Sequence, residues 1–181
     1  TIEELDPGDE WQAGAIDCTI YPPVGSSRSD DAVFVLAAGE RAVCAITNTH
    51  RGQIVIQKAT EPTSRKEFVF STSFGPDVSV VSGQPYASPL LEPGIYTVTE
   101  SLPRGWDLVG SICSDGSPTS AISLGAGETI TCTFANRRRG RITVVKQIQG
   151  PGIRLYDTTF QFNSTGGLTT TNPFNITTAG T

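Results

Sequence analysis

The sequence predicts an all-β protein of tandem β-sandwiches, repeating about every 88 residues. Three observations carry this reading. Short segments of alternating apolar and polar residues are punctuated by Gly, Pro, Ser and Asp, at the spacing of sandwich strands. No stretch has the periodicity of an amphipathic helix. And "NTHRGQIVIQK" at residues 48–58 returns as "NRRRGRITVVK" at 136–146, the self-similarity of a duplicated unit.

The elements follow in order. "QIVIQK" (53–58), "EFVFSTS" (67–73), "DVSVVS" (77–82), "IYTVTE" (95–100), "WDLVGSIC" (106–113) and "ETITCTFAN" (128–136) each read as one strand. Shifted by 88, Leu36, Glu40, Cys44, Asn48, Ile54 and Lys58 meet Leu124, Glu128, Cys132, Asn136, Ile142 and Lys146. Residues 52–139 therefore form one complete repeat. Residues 1–51 read as the C-terminal half of another, opening on "TIEE", the counterpart of "TVTE" (97–100). Residues 140–181 read as an N-terminal half, its "FQF" (160–162) answering "FVF" (68–70) four residues out of step. A half-sandwich exposes strand edges and half a core. Completion by neighbours is expected, the 140–181 half of one unit with the 1–51 half of the next. That arrangement fits subunits joined head to tail or a window of a longer tandem protein. Closure of both halves within one chain is a third arrangement.

Composition narrows the classes. Charged residues make up 17%, histidine occurs once and the net charge is −5. A nucleic-acid partner usually calls for a basic footprint. The longest apolar run, "AVFVLAA" (Ala32–Ala38), is too short to span a membrane. The absence of methionine fits a processed chain or a window of something longer. No cofactor or metal motif is expected, since the four cysteines lack zinc-type spacing. The repeat pairs them instead. Trp11 precedes Cys18 by seven residues, as Trp106 precedes Cys113, and Cys44 and Cys132 sit in "ERAVCAITN" and "ETITCTFAN". Cys18–Cys44 and Cys113–Cys132 are the predicted bridges, each closing a loop worth about 3 kcal/mol. Such bridges point to an oxidising, extracellular setting.

Strand alternation places three polar side chains on inward rows. Ile54, Ile56 and Lys58 share a face, as do Cys132, Phe134 and Asn136, and Tyr96, Val98 and Glu100. The other repeat offers Ile142, Val144 and Lys146, with Cys44, Ile46 and Asn48, and Ile2 and Glu4. Burial raises a carboxyl pKa and lowers an amine pKa, so both groups can become neutral. A neutral amine is a nucleophile, and a carboxyl beside it is a general acid. The chemistry this permits is attack of Lys58 on the Asn136 carboxamide, promoted by Glu100, with loss of ammonia. The product is an isopeptide cross-link.

"LEPGIYTVTESLPRGW" (Leu91–Trp106) resembles the glutamate box of collagen-adhesin B-type domains, also called SpaA-like or prealbumin-fold domains, of bacterial pilins and adhesin stalks. The resemblance implies immunoglobulin-like, prealbumin-like sandwiches with a lysine on the first strand, a glutamate in the box and an asparagine on the last strand. Lys58, Glu100 and Asn136 take those positions, with Tyr96, Pro103, Gly105 and Trp106 filling out the box. In the split repeat Lys146, Glu4 and Asn48 correspond. The box there is altered to "TIEELDPGDEW", and its "LDPG" also aligns with "LEPG" (91–94), which would take Glu4 out of the role. A disulfide in each repeat departs from the pilin pattern.

Arg137, Arg138, Arg139 and Arg141 read as a solvated linker. Glu3, Glu4, Asp6, Asp9 and Glu10 are candidates to meet them across a junction. Asp30 and Asp31 read as loop chemistry, the sequons at Asn163 and Asn175 as chance, and His50 has no hydrolase motif around it. The expectation is a structural protein, not an enzyme beyond self-cross-linking. It would be a subunit or segment of an extracellular bacterial filament, pilus-like fibre or adhesin stalk. Its partners would be copies of itself or neighbouring repeats, with no nucleic acid and no membrane insertion. A surface adhesin module, binding carbohydrate or host protein through its loops, is the alternative.

Overall fold

The computed structural model describes residues 4–5, 7–21, 28–30, 36–147, 158–166 and 173–178. Ile2, Glu3, Asp6, Asp31 and much of the apolar run 32–38 lie outside them. The described residues are all β, in two compact units divided after Arg139.

Within the first unit, the opening segment carries β1 (Trp11–Gln12), β2 (Ile16–Tyr21), β3 (Arg28–Asp30), β4 (Arg41–Ile46) and β5 (Thr49–His50). The middle domain follows with β6 (Gln53–Glu61), β7 (Glu67–Thr72), β8 (Gly75–Val81), β9 (Tyr86–Ala87), β10 (Gly94–Tyr96), β11 (Val98–Ser101), β12 (Trp106–Cys113), β13 (Ile122–Leu124) and β14 (Thr129–Arg138). Its main sheet has the order β12-β14-β6-β9 and faces a second sheet, β11-β7-β8.

Strict alternation makes β6 a half-buried strand: Ile54, Ile56 and Lys58 are buried while Gln53, Val55 and Gln57 are not. It pairs with β14 in parallel, from Thr129 beside Gln53 to Arg137 beside Glu61. A parallel pair needs a crossover between its strands, and here the whole intervening domain supplies it. The first and last strands thus lie side by side. Phe70 meets Phe134 across the sandwich at 4.9 Å between ring centroids, and Phe68 meets Trp106 at 5.2 Å, both edge-on. Ile54, Ile56, Ile122 and Ile130 fill the space around them. Each such side chain contributes roughly 1.5–3 kcal/mol by leaving water.

"IYTVTE" is two strands rather than one. Gly94–Tyr96 pairs with β13, and Val98–Ser101 crosses at Thr97 to pair with β7. Val98 stays buried, but Tyr96 is only half-buried, its hydroxyl donating to Glu92 O at 2.7 Å. Alternation alone does not register a change of sheet. Just beyond, Trp106 N donates to Pro103 O, closing a turn with Gly105 at a φ of 84°, where a side chain would be strained.

The opening segment repeats the β12–β14 pairing. Trp11 lies beside His50 and Cys18 beside Cys44, as Trp106 lies beside Arg138 and Cys113 beside Cys132. Its sheet has the order β3-β2-β4, so β4 is an edge among the described residues, whereas β14 is flanked on both sides. Burial follows. Cys132, Phe134 and Asn136 are inaccessible, while Cys44 and Asn48 are half-buried and Ile46 is 39% exposed.

In the second unit, β15 (Thr158–Phe162) and β16 (Phe174–Thr178) form a hairpin with Phe162 stacked on Phe174. The inward row expected of Ile142, Val144 and Lys146 is not realised. Residues 141–147 carry no strand, and Ile142 and Val145 are about 70% exposed. A strand is held by its neighbours, and the described residues of this unit offer only the hairpin.

Candidate cross-link site

Lys58 ends the inward row of β6, and its side chain is fully inaccessible to solvent. Its Nζ donates to Phe134 O at 3.0 Å, stands 3.1 Å from Glu100 Oε1, and lies 4.7 Å from the centroid of the Phe68 ring. Glu100 reaches in from the opposite sheet, on β11 beside Phe70, with 2% of its side chain exposed. Asn136 continues the row of Cys132 and Phe134 on β14 and is equally dry. Its Nδ2 donates to that same Glu100 Oε1 at 2.6 Å. One carboxyl oxygen therefore touches both the amine and the carboxamide.

Burial lowers the Lys58 pKa, against the opposing charge and hydrogen bond of Glu100. The arrangement raises the fraction of neutral, nucleophilic amine. Two acceptors in the pocket, Glu100 Oε2 and Asn136 Oδ1, are buried without a partner. Leaving such atoms unpaired costs about 1–3 kcal/mol each. The site is therefore short of hydrogen-bond donors.

Two of the lysine's contacts lie outside the predicted site residues: the Phe134 carbonyl, which follows from the parallel register, and the Phe68 ring. The inward alternation of "EFVF" was the available signal for the latter. Tyr96 lies apart from the lysine's contacts, holding the turn through Glu92.

Residues 54–138 match the family model of the SpaA-type prealbumin-like fold domain. That stretch is similar to a prealbumin-like domain. The match spans a little under half of the chain, and no curated protein and no solved structure matches.

Outside residues 54–138, the other predicted residues form two partial sites. Asn48 Nδ2 donates to Glu4 Oε1 at 2.5 Å, and Asn48 Oδ1 is buried without a partner, as Asn136 Oδ1 is. This contact puts Glu4, rather than the "LDPG" stretch, at the amide. Lys146 Nζ lies 4.6 Å from the Phe160 ring centroid. Both predicted disulfides are present, Cys18–Cys44 and Cys113–Cys132, each joining residues directly opposite in an antiparallel pair. Within the middle domain, Arg137 pairs with Glu61 and Arg139 with Asp107. His50 packs edge-on against Trp11.

Proposed function

We propose that this chain is a structural subunit or segment of an extracellular bacterial filament, pilus-like fibre or adhesin stalk, built from tandem repeats and hardened by self-made isopeptide bonds. The observation that carries this reading is the single Glu100 oxygen in contact with both Lys58 Nζ and Asn136 Nδ2 in a dry core. Neutral Lys58 Nζ attacks Asn136 Cγ. The Nζ–Cγ bond forms and the Cγ–Nδ2 bond breaks. Glu100 Oε1, touching both nitrogens, passes a proton from the amine to the departing nitrogen, which leaves as ammonia. An amide and an amine become a new amide and ammonia, so no oxidant or co-reactant enters. Fixed proximity of this kind supplies much of the drive for amine attack. The bond is made once and never turned over, which is self-modification rather than enzymatic activity.

The test is the intact mass of the denatured, fully reduced chain. The expected mass is one ammonia below that of the sequence for the middle domain, restored to the full value in Lys58→Ala. A wild-type chain of unmodified mass would leave Lys58 as a buried ion-pair member and overturn the cross-link.

A further inference from the structure

We propose that the Glu4–Asn48 pair is an acceptor site for the Arg141–Lys146 segment of a second copy of this chain, which would pair there as a strand with its Lys146 joined to Asn48 by an isopeptide bond. The proposal rests on the reading of Lys58 and Asn136 as a cross-link and extends it to a partner.

The acid and the amide are already in contact, and the amide oxygen is buried and unpartnered. What the pair lacks, among the described residues of the first unit, is an amine. The chain has three lysines, Lys58, Lys66 and Lys146, and none precedes residue 58. Lys58 is sealed in the middle domain. Lys66 sits between Arg65 and Glu67, with no apolar row leading to it. Lys146 follows Ile142 and Val144 at alternate positions, as Lys58 follows Ile54 and Ile56.

The register of the middle domain gives the docking geometry. Carried over from β14 and β6, the parallel ladder sets Val144 beside Cys44 and Lys146 beside Ile46, as Lys58 lies beside Phe134. The edge of β4 that would receive it has no strand among the described residues. Both sides expose the apolar surface such pairing would cover: Val43 and Ile46 on one, Ile142, Val144 and Val145 on the other. The second sheet agrees, since β15 would take the Glu4 segment with Glu4 beside Phe162, as β7 takes Glu100 beside Phe70. Lys146 lies over Phe160 at 4.6 Å, as Lys58 lies over Phe68 at 4.7 Å. Charge favours the encounter: residues 1–51 carry nine acidic groups against three arginines, and residues 140–181 three basic groups against one aspartate. The bond balances as before. Lys146 Nζ to Asn48 Cγ forms, Cγ–Nδ2 breaks, and one ammonia leaves per junction.

The purified full chain is incubated at rising concentration, then denatured, reduced and weighed. The expected result is a ladder of chain multiples, each junction lighter by one ammonia. Lys146→Gln and Asn48→Ala each abolish the ladder alone. Mixed, they yield covalent dimers and nothing longer, because one supplies the acceptor and the other the amine. Failure of the mixture to cross-link would overturn the proposal. So would a wild-type monomer that has lost a second ammonia, since that places the bond within one chain. The Lys58–Asn136 bond is read separately, from the mass of the Lys146→Gln monomer.

Discussion

Lys58 and Phe134 lie beside one another in a parallel ladder, and the lysine amine returns to the Phe134 carbonyl at 3.0 Å. The first and last strands of the middle domain therefore run the same way. Tension applied at Gly52 and Arg139 pulls them in opposite directions and shears that ladder. The proposed covalent tie from Lys58 to Asn136 would carry the load past every residue between them. In single-molecule pulling through those ends, the wild-type domain should show no unfolding step. Lys58→Ala should release the intervening loop, less the segment held by the Cys113–Cys132 bridge, on the order of 200 Å at full extension. A step of that size in the wild-type chain would mean that the tie is missing.

The proposed cross-link gives Glu100 two roles that separate by substitution. Glu100→Gln keeps the shape but loses the proton relay between the nitrogens, and bond formation should slow by about 10²–10⁴. Glu100→Ala also leaves Lys58 buried without its carboxylate, which should cost about 3–5 kcal/mol in denaturant titrations. Timed intact mass after refolding gives the rate for each. Equal rates in wild type and Glu100→Gln would remove the acid from the mechanism.

The lowered pKa of Lys58 sets a pH dependence. Its amine titrates below the ordinary value of 10.5 because burial disfavours the charged form. In Asn136→Ala, which keeps the lysine but cannot bond, the unfolded chain holds that proton to higher pH than the folded one. Between the folded and unfolded values the unfolded state binds more protons, so stability should rise with pH across that window. Bond formation in the wild type should run the same way, accelerating with the neutral-amine fraction and levelling above the folded value. Acid-quenched time points at several pH values measure this. A rate that falls as pH rises would contradict amine attack.

Much of the site was legible because period-two alternation is a local property. Ile54, Ile56 and Lys58 announce their shared face without reference to anything distant. The cysteine pairs were legible because the sequence shows each cysteine's surroundings twice. The switch of sheets at Thr97 was hidden, since "IYTVTE" alternates smoothly across it. Nor did alternation reveal that residues 141–147 would carry no strand. Ile142, Val144 and Lys146 repeat the pattern of β6, but a strand also needs a neighbour, and sequence pattern contains no term for one.

The Cys113–Cys132 bridge and the proposed Lys58–Asn136 bond act on different parts of the unfolded chain. The disulfide closes a loop of sequence separation 19 on β12 and β14, and the isopeptide bond ties β14 to β6. Removing the bridge with Cys113→Ser and Cys132→Ser together should cost about 3 kcal/mol, a fall in Tm on the order of 10–20 °C for a domain of this size. The reacting groups stay where they are, because Lys58, Glu100 and Asn136 are positioned by the β6–β14 ladder and by β11. The doubly substituted chain should still lose one ammonia from the middle domain. If it keeps its full mass, the bridge positions Asn136 for attack, and the two covalent ties form in order, disulfide first.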